Sequence, residues 1–213
     1  ITVGYSIPVC RHWLQCTHDF PGNRLLLTLA NSSARYGLVA VSLHWIIAIG
    51  VIAEFAMGLY MTGLNYYHPR SQFWPHVHES VGILLAMAIF LRVVWSVIST
   101  RPAPGSGVGR LEFIASRVVQ VTMQAVIVGI VVFGYLLSTA EGAGIAVFDW
   151  FTVPALFEAV VDTQEDICLF LHYWLAWSVI GLASLHALGA LKHHLIDRDN
   201  TLRNMLGMDA PDK

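Results

Sequence analysis

The stretch CLFLHYWLAWSVIGLASLHALGAL, residues 168–191, decides how this chain folds. It contains no Lys, Arg, Asp or Glu, and it is longer than the roughly 20 apolar residues that a helix needs to cross the hydrocarbon core of a bilayer. Three other long apolar stretches precede it, at residues 38–61, 75–98 and 118–137. We therefore predict four transmembrane helices.

The composition also indicates a membrane protein. Hydrophobic residues make up 56% of the 213 residues and charged residues only 12%, whereas a soluble domain carries about 25% charged residues. The apolar stretches are continuous rather than alternating, which excludes a transmembrane β-barrel. The predicted fold is an all-α, integral membrane four-helix bundle with up-down topology. It spans residues 35–207, between an N-terminal extension of unknown role (1–34) and a polar tail (208–213).

The basic residues indicate the orientation of this bundle. Of the 12 Lys and Arg residues, all except Arg70 lie before helix one, around the connection between helices two and three, or after helix four. Because Lys and Arg concentrate on the cytoplasmic side of membrane proteins, we predict that both termini are cytoplasmic. The loop after helix three, on the opposite (outer) side, is acidic. Solvation explains such a loop, and docking of a cationic partner is the alternative. Its acidic residues are Glu141, Asp149, Glu158, Asp162, Glu165 and Asp166.

Four histidines fall at two matching depths of the predicted bundle. His172 and His186 are 14 residues apart, so both face the same side of helix four, about 21 Å apart along its axis. His44 lies near the inner end of helix one, at the depth of His186. His78 lies near the outer end of helix two, at the depth of His172. Each pair would hold two imidazoles on opposite sides of one metal, as axial ligation of haem iron requires.

Two other interpretations of these histidines were considered. A zinc site needs three or four ligands at one depth, and no third ligand is evident at either. A single intramembrane histidine often only forms a hydrogen bond between helices, but four at matching depths favour a functional role. His76 competes with His78 for the inward position, because residues two apart on a helix do not face the same side.

Glu54 and Arg92 are charged residues that also lie within the predicted helices. Glu54 is in the outer half of helix one, where a carboxylate is costly unless it is paired or protonated. It could carry protons, contact a quinone ring, or simply be protonated or turned toward water. Arg92 is in the inner half of helix two. It could extend to the cytoplasmic surface or bind a haem propionate, because a guanidinium matches a carboxylate.

Several motifs of the chain resemble those of the bacterial cytochrome b561 family. The resemblance covers about residues 31–207 in the same order, and residues 1–30 have no counterpart in it. The motifs are Arg35-Tyr36-Gly37, Ser42-Leu43-His44-Trp45, Met57-Gly58-Leu59-Tyr60-Met61, His78-Glu79-Ser80-Val81-Gly82, Leu91-Arg92-Val93-Val94-Trp95, Arg101-Pro102, His172-Tyr173-Trp174-Leu175-Ala176-Trp177, Leu185-His186-Ala187 and Lys192-His193-His194-Leu195-Ile196-Asp197-Arg198-Asp199.

The resemblance implies two b-type haems, with His44, His78, His172 and His186 as ligands. The haems would be held non-covalently, because the chain has no C-x-x-C-H motif. It further implies electron transfer across the bacterial inner membrane, coupled to quinone. One activity in the family resembles that of a superoxide:ubiquinone oxidoreductase. Here Glu79 stands where the family usually has a basic residue, and together with the acidic loop it would repel superoxide.

These observations leave three functional hypotheses. The first is a quinone-linked electron carrier or oxidoreductase of the respiratory chain, with membrane lipid, quinone and an outer-side donor (superoxide or a redox protein) as partners, and no nucleic acid. The second is a cytochrome b anchor subunit that passes electrons to or from a partner oxidoreductase. The third is a metal or proton transporter that uses the histidines as relay groups.

Overall fold

The computed structural model describes residues 29–32, 35–65, 67–100, 102, 109–157, 163–197 and 201–206. The predicted tail 208–213 lies outside the described residues, as does the predicted extension apart from residues 29–32. Within the described part, the chain forms five helices and one two-stranded sheet.

The four long helices confirm the predicted fold class. Each is long and apolar enough to cross a membrane, as expected from stretches that reach about 20 apolar residues. In chain order they are α1 (Leu38–Thr62), α2 (Phe73–Ile98), α3 (Arg110–Ser138) and α4 (Gln164–Leu195). Helix α1 packs mainly against α2, and α3 packs mainly against α4.

Helices α3 and α4 extend beyond the stretches predicted from hydrophobicity. Helix α3 begins at Arg110, because the amphipathic segment before its apolar part is also helical. Helix α4 begins with Glu165 and Asp166 in its first turn and ends with Lys192 in its last turn. Acidic groups at the N-terminus and basic groups at the C-terminus stabilise a helix through its macrodipole. Charged end turns therefore lengthen helices that an apolar criterion cuts short.

A β-hairpin follows α3, and this hairpin was not predicted from the sequence. Its strands are β1 (Ile145–Val147) and β2 (Phe151–Val153), paired antiparallel. In the turn, Phe148 and Asp149 have positive φ angles of 44° and 61°, a conformation that is uncommon for residues other than Gly. We call the side of the bundle that carries this hairpin the hairpin end, and the opposite side, where α1 begins and α4 finishes, the terminal end.

The centre of the bundle is an apolar layer to which each long helix contributes one buried side chain. The four residues are Ile47, Ile89, Ile127 and Val179. At the terminal end, the short helix α5 (Thr201–Met205) returns to α1, where the indole N–H of Trp45 donates a hydrogen bond to the carbonyl oxygen of Met205 at 2.8 Å. The layer separates the two ends of the bundle.

Candidate cofactor sites

Two histidine pairs lie on opposite sides of the apolar layer. The rings of His44 on α1 and His186 on α4 have their centres 6.4 Å apart, and we call this pair the terminal site. The rings of His78 on α2 and His172 on α4 have their centres 6.1 Å apart, and we call this pair the hairpin site. The structure therefore brings together the same pairs that were predicted from depth in the sequence.

The ring spacing suits one metal ion between each pair. Imidazole nitrogens bind metals at about 2 Å, so two rings on opposite sides of one ion would have centres roughly 6 Å apart. Among the described residues, no group of three or more His, Cys, Asp or Glu side chains could hold a metal ion. The donor set thus fits a haem with two axial histidines and does not fit a zinc site.

At the hairpin site, the Nδ1 atom of each ring lies close to an oxygen atom of another helix. The Nδ1 atom of His172 lies 2.9 Å from the backbone carbonyl oxygen of Ile130 on α3. The Nδ1 atom of His78 lies 2.5 Å from Oε2 of Glu54 on α1. Since a carbonyl oxygen only accepts hydrogen bonds, Nδ1 of His172 carries the hydrogen and its Nε2 is left as the ligand atom. This is the arrangement in which histidines bind metals.

A glycine allows close packing around the ring of His172, whereas the glycine near His78 is not needed for space. A Cβ atom added at Gly134 on α3 would lie 2.9 Å from Cε1 of His172, closer than real Cβ contacts allow. A Cβ atom at Gly58 on α1 would lie 3.8 Å from Cε1 of His78. Glycine at position 134 therefore lets α3 approach the ring closely enough for the bond to Ile130.

At the terminal site, the charged neighbour is a cation. Arg92 on α2 is the charged neighbour of both His44 and His186. Arg92 is half-buried, and the ring of Trp45 packs edge-on to His44 with centres 5.4 Å apart. A fixed guanidinium beside the pair is suited to bind a carboxylate such as a haem propionate.

The two sites are built on a common plan with opposite charges. In each, α4 provides one histidine, and one helix of the α1–α2 pair provides the other. The remaining helix of that pair provides the charged group, which is Arg92 at the terminal site and Glu54 at the hairpin site.

The structure also places two of the remaining histidines. The ring of His76 packs against Phe148 of the hairpin, with centres 6.4 Å apart, so His78 is the residue of the two that faces α4. His193 pairs with Asp197 beyond the terminal site, at 2.8 Å. His12 and His18 lie outside the described residues.

Sequence reasoning missed Ile130 and Gly134. The first acts through its backbone carbonyl and the second through the absence of a side chain, so no residue-type signal marks either.

A shallow, open apolar groove lies on the surface of α1 beside the terminal site. It is open toward the side that faces lipid in a membrane. Its lining residues are Val41, Ser42, Trp45, Ile46, Ile49 and Gly50.

Comparison with known proteins adds two findings. A family model described as prokaryotic cytochrome b561 matches residues 35–208. A protein of Escherichia coli strain K12, cytochrome b561 homolog 2, is 42% identical over 186 residues, which covers 87% of this chain and 98% of that relative. The family model covers all four paired histidines and begins after the N-terminal extension.

Proposed function

The chain belongs to the prokaryotic cytochrome b561 family, and from that premise we propose that it moves electrons across a bacterial membrane between two b-type haems and exchanges them with quinone. Transmembrane electron transfer and b-type haem come with the family. We propose the number of haems, their ligands and the exchange with quinone. His44 and His186 hold one haem, and His78 and His172 hold the other.

The spacing of the paired rings is the observation that supports this proposal most. Centres 6.1 and 6.4 Å apart suit one iron at each level. The two histidines of α4 are about 21 Å apart along the axis, a large part of the roughly 30 Å hydrocarbon core. Two stacked carriers would thus span most of the membrane.

The residues of the chain perform distinct tasks in this function. A haem with two axial histidines supplies a one-electron carrier that has no free coordination position. The hydrogen bond to Ile130 orients the ring of His172, and the contact with Glu54 orients the ring of His78. Arg92 is available for a propionate. The layer around Val179 excludes water between the two levels.

The groove on α1 is the proposed entry for quinone. It is lined mainly by apolar side chains, and Ile46 and Ile49 are exposed on the lipid-facing surface. A quinone from the bilayer would reach it without crossing water. Because the groove lies beside His44, electrons would be exchanged with quinone at the terminal site.

A second candidate function is that of an anchor subunit for a partner oxidoreductase. The observation that favours it is the exposed acidic surface of the hairpin end, formed by Glu141, Asp149, Glu165 and Asp166. Such a surface attracts a basic redox protein, and it repels superoxide. Glu158 and Asp162 lie outside the described residues.

Replacement of single histidines tests the haem assignment. We expect His172→Ala and His186→Ala each to lose one haem, about half of the dithionite-reduced absorbance per protein, because an axial ligand is removed. His76→Ala is the matched control and should keep both haems, since its ring faces the hairpin. Full haem content in either ligand variant contradicts the assignment. Absence of haem from the purified wild-type protein contradicts the whole proposal and favours a transporter.

The electron donor is tested with the protein reconstituted into liposomes. Quinone reduction is measured with superoxide, and then with a basic soluble cytochrome, at increasing salt concentration. Screening of charges should slow the reaction with a cationic protein and relieve the repulsion of superoxide. A superoxide reaction that is faster than the cytochrome reaction at low salt argues against the anchor-subunit function.

A further inference from the structure

Glu54 is a carboxylic acid within an apolar transmembrane helix. Its side chain is only 12% exposed, and an acidic group inside a membrane is costly unless it has a partner. The partner is the ring of His78, whose Nδ1 atom is 2.5 Å from Oε2. The buried acid is therefore paired with one of the four proposed haem ligands.

The two rings of the hairpin site differ in the acceptor that each has. Nδ1 of His172 donates to a neutral backbone carbonyl, that of Ile130. Nδ1 of His78 lies 2.5 Å from an oxygen of the Glu54 carboxyl group, and a carboxylate is a stronger acceptor than a carbonyl. A carboxylate on the far nitrogen fixes the orientation of a metal-bound imidazole and makes it a stronger electron donor to the metal. A stronger donor favours the oxidised, more positive iron.

The terminal site has the opposite charge beside it. Arg92 is the charged neighbour of His44 and His186, and a nearby cation favours the reduced, less positive iron. The sites are separated by the apolar layer, in which low polarity leaves such interactions poorly screened. Both charges therefore lower the reduction potential of the hairpin site relative to the potential of the terminal site.

We propose that Glu54 is a positioning residue for the hairpin site, which orients His78 and keeps the reduction potential of that site below the potential of the terminal site. The proposal rests on the proposed function, since it concerns the haems held there. Its consequence is a preferred direction of electron transfer. An electron delivered at the hairpin end passes spontaneously toward the terminal end and the groove on α1.

The experiment measures both reduction potentials and the low-temperature EPR signals of oxidised haem in the purified full-length protein. In Glu54→Gln the amide oxygen still accepts from Nδ1, but the charge is lost. We expect the hairpin-site potential to rise by enough to change the equilibrium between the sites about tenfold, which is 59 mV for one electron. In Glu54→Leu the acceptor is lost as well, so the EPR signal of that haem should also shift.

Glu79→Gln is the matched control. It removes one negative charge from the residue next to His78 but leaves the contact with Glu54 intact. We expect it to change neither the EPR signal nor the order of the potentials. If it shifts the hairpin-site potential as much as Glu54→Gln does, overall charge rather than positioning is responsible, and the proposal is overturned.

The remaining outcomes also decide the question. Unchanged potentials and EPR signals in both Glu54 variants overturn the proposal while leaving the haem assignment intact. If both variants lose the hairpin-site haem, Glu54→Asp is measured. Recovery of the haem and of the order of potentials supports positioning, and failure to recover overturns it. A wild-type protein with fewer than two haems instead refutes the proposed function on which the inference rests.

Discussion

Gly134 packs against the ring of His172 and leaves no room for a side chain. In Gly134→Ala the new Cβ atom would lie 2.9 Å from Cε1 and 3.0 Å from Nδ1 of that ring. The ring must move, which disturbs its bond to Ile130. We expect a partial loss of haem from the hairpin site and a shifted EPR signal for the haem that remains, with the terminal site unaffected. Haem content and EPR spectra measure both effects.

Gly181→Ala is the control for this substitution. No atom lies within 4 Å of a Cβ added at Gly181, which is on the same helix as His172. Replacing Gly by Ala within a helix stabilises it by up to about 1 kcal/mol, so this variant should keep both haems. Equal haem loss in the two variants would show that the effect is not specific to the ring of His172.

At the scale of residues, the sequence was sufficient to select the paired histidines. Helical periodicity fixes the face on which a residue lies, and distance from the helix end fixes its depth, so His172 and His186 could be matched with His78 and His44. The partner of Glu54 could not be predicted in this way. Depth does not give the rotation of one helix against another, and that rotation decides whether an acid meets a ligand or lipid.

At the scale of elements, a buried hydroxyl links the hairpin to α2. Ser80 on α2 has no exposed surface. Its Oγ donates to the carbonyl oxygen of Ala146 at 3.3 Å and accepts from the N–H of Phe148 at 3.1 Å. Because Ser80 is two residues from His78, the same turn of α2 carries a proposed haem ligand and anchors the hairpin.

We expect Ser80→Ala to destabilise the protein by about 1–3 kcal/mol, since it leaves the N–H of Phe148 without its acceptor. Denaturant titration in detergent measures the free energy of unfolding, and limited proteolysis reports loosening of the hairpin. In the control Ser178→Ala, the lost hydroxyl donates only to Trp174 within the same helix and is exposed. A change within about 0.5 kcal/mol is expected there, and a larger loss than in Ser80→Ala would contradict the role of the anchor.

The elements themselves were predictable to different degrees. The apolar parts of all four helices follow directly from the length of their hydrophobic stretches. The hairpin could not be predicted, because its strands have only three residues each and its turn places Phe148 and Asp149, rather than Gly or Asn, at positive φ. Tertiary contacts with α2 compensate for that local strain, and a sequence pattern does not contain them.

At the scale of the whole molecule, orientation in the membrane remains a prediction from the basic residues. The positive-inside rule places the terminal end in the cytoplasm. A fluorescent protein fused after residue 213 should therefore be fluorescent, and alkaline phosphatase fused at the same position should be inactive. Moving the phosphatase into the loop near Arg70 should activate it. The reverse pattern would show that the bundle has the opposite orientation, with the groove on α1 at the outer side.

The apolar layer of Ile47, Ile89, Ile127 and Val179 has an electrical consequence. Aliphatic side chains offer no path for ions or protons, so an electron that passes between the proposed sites crosses without a compensating charge. Moving one charge through the full membrane voltage changes its free energy by about 2.3 kcal/mol per 100 mV. The two levels span roughly 21 Å of a core of about 30 Å. An electron that passes between them therefore crosses most of the membrane voltage. The turnover rate of this protein should therefore change with the membrane voltage.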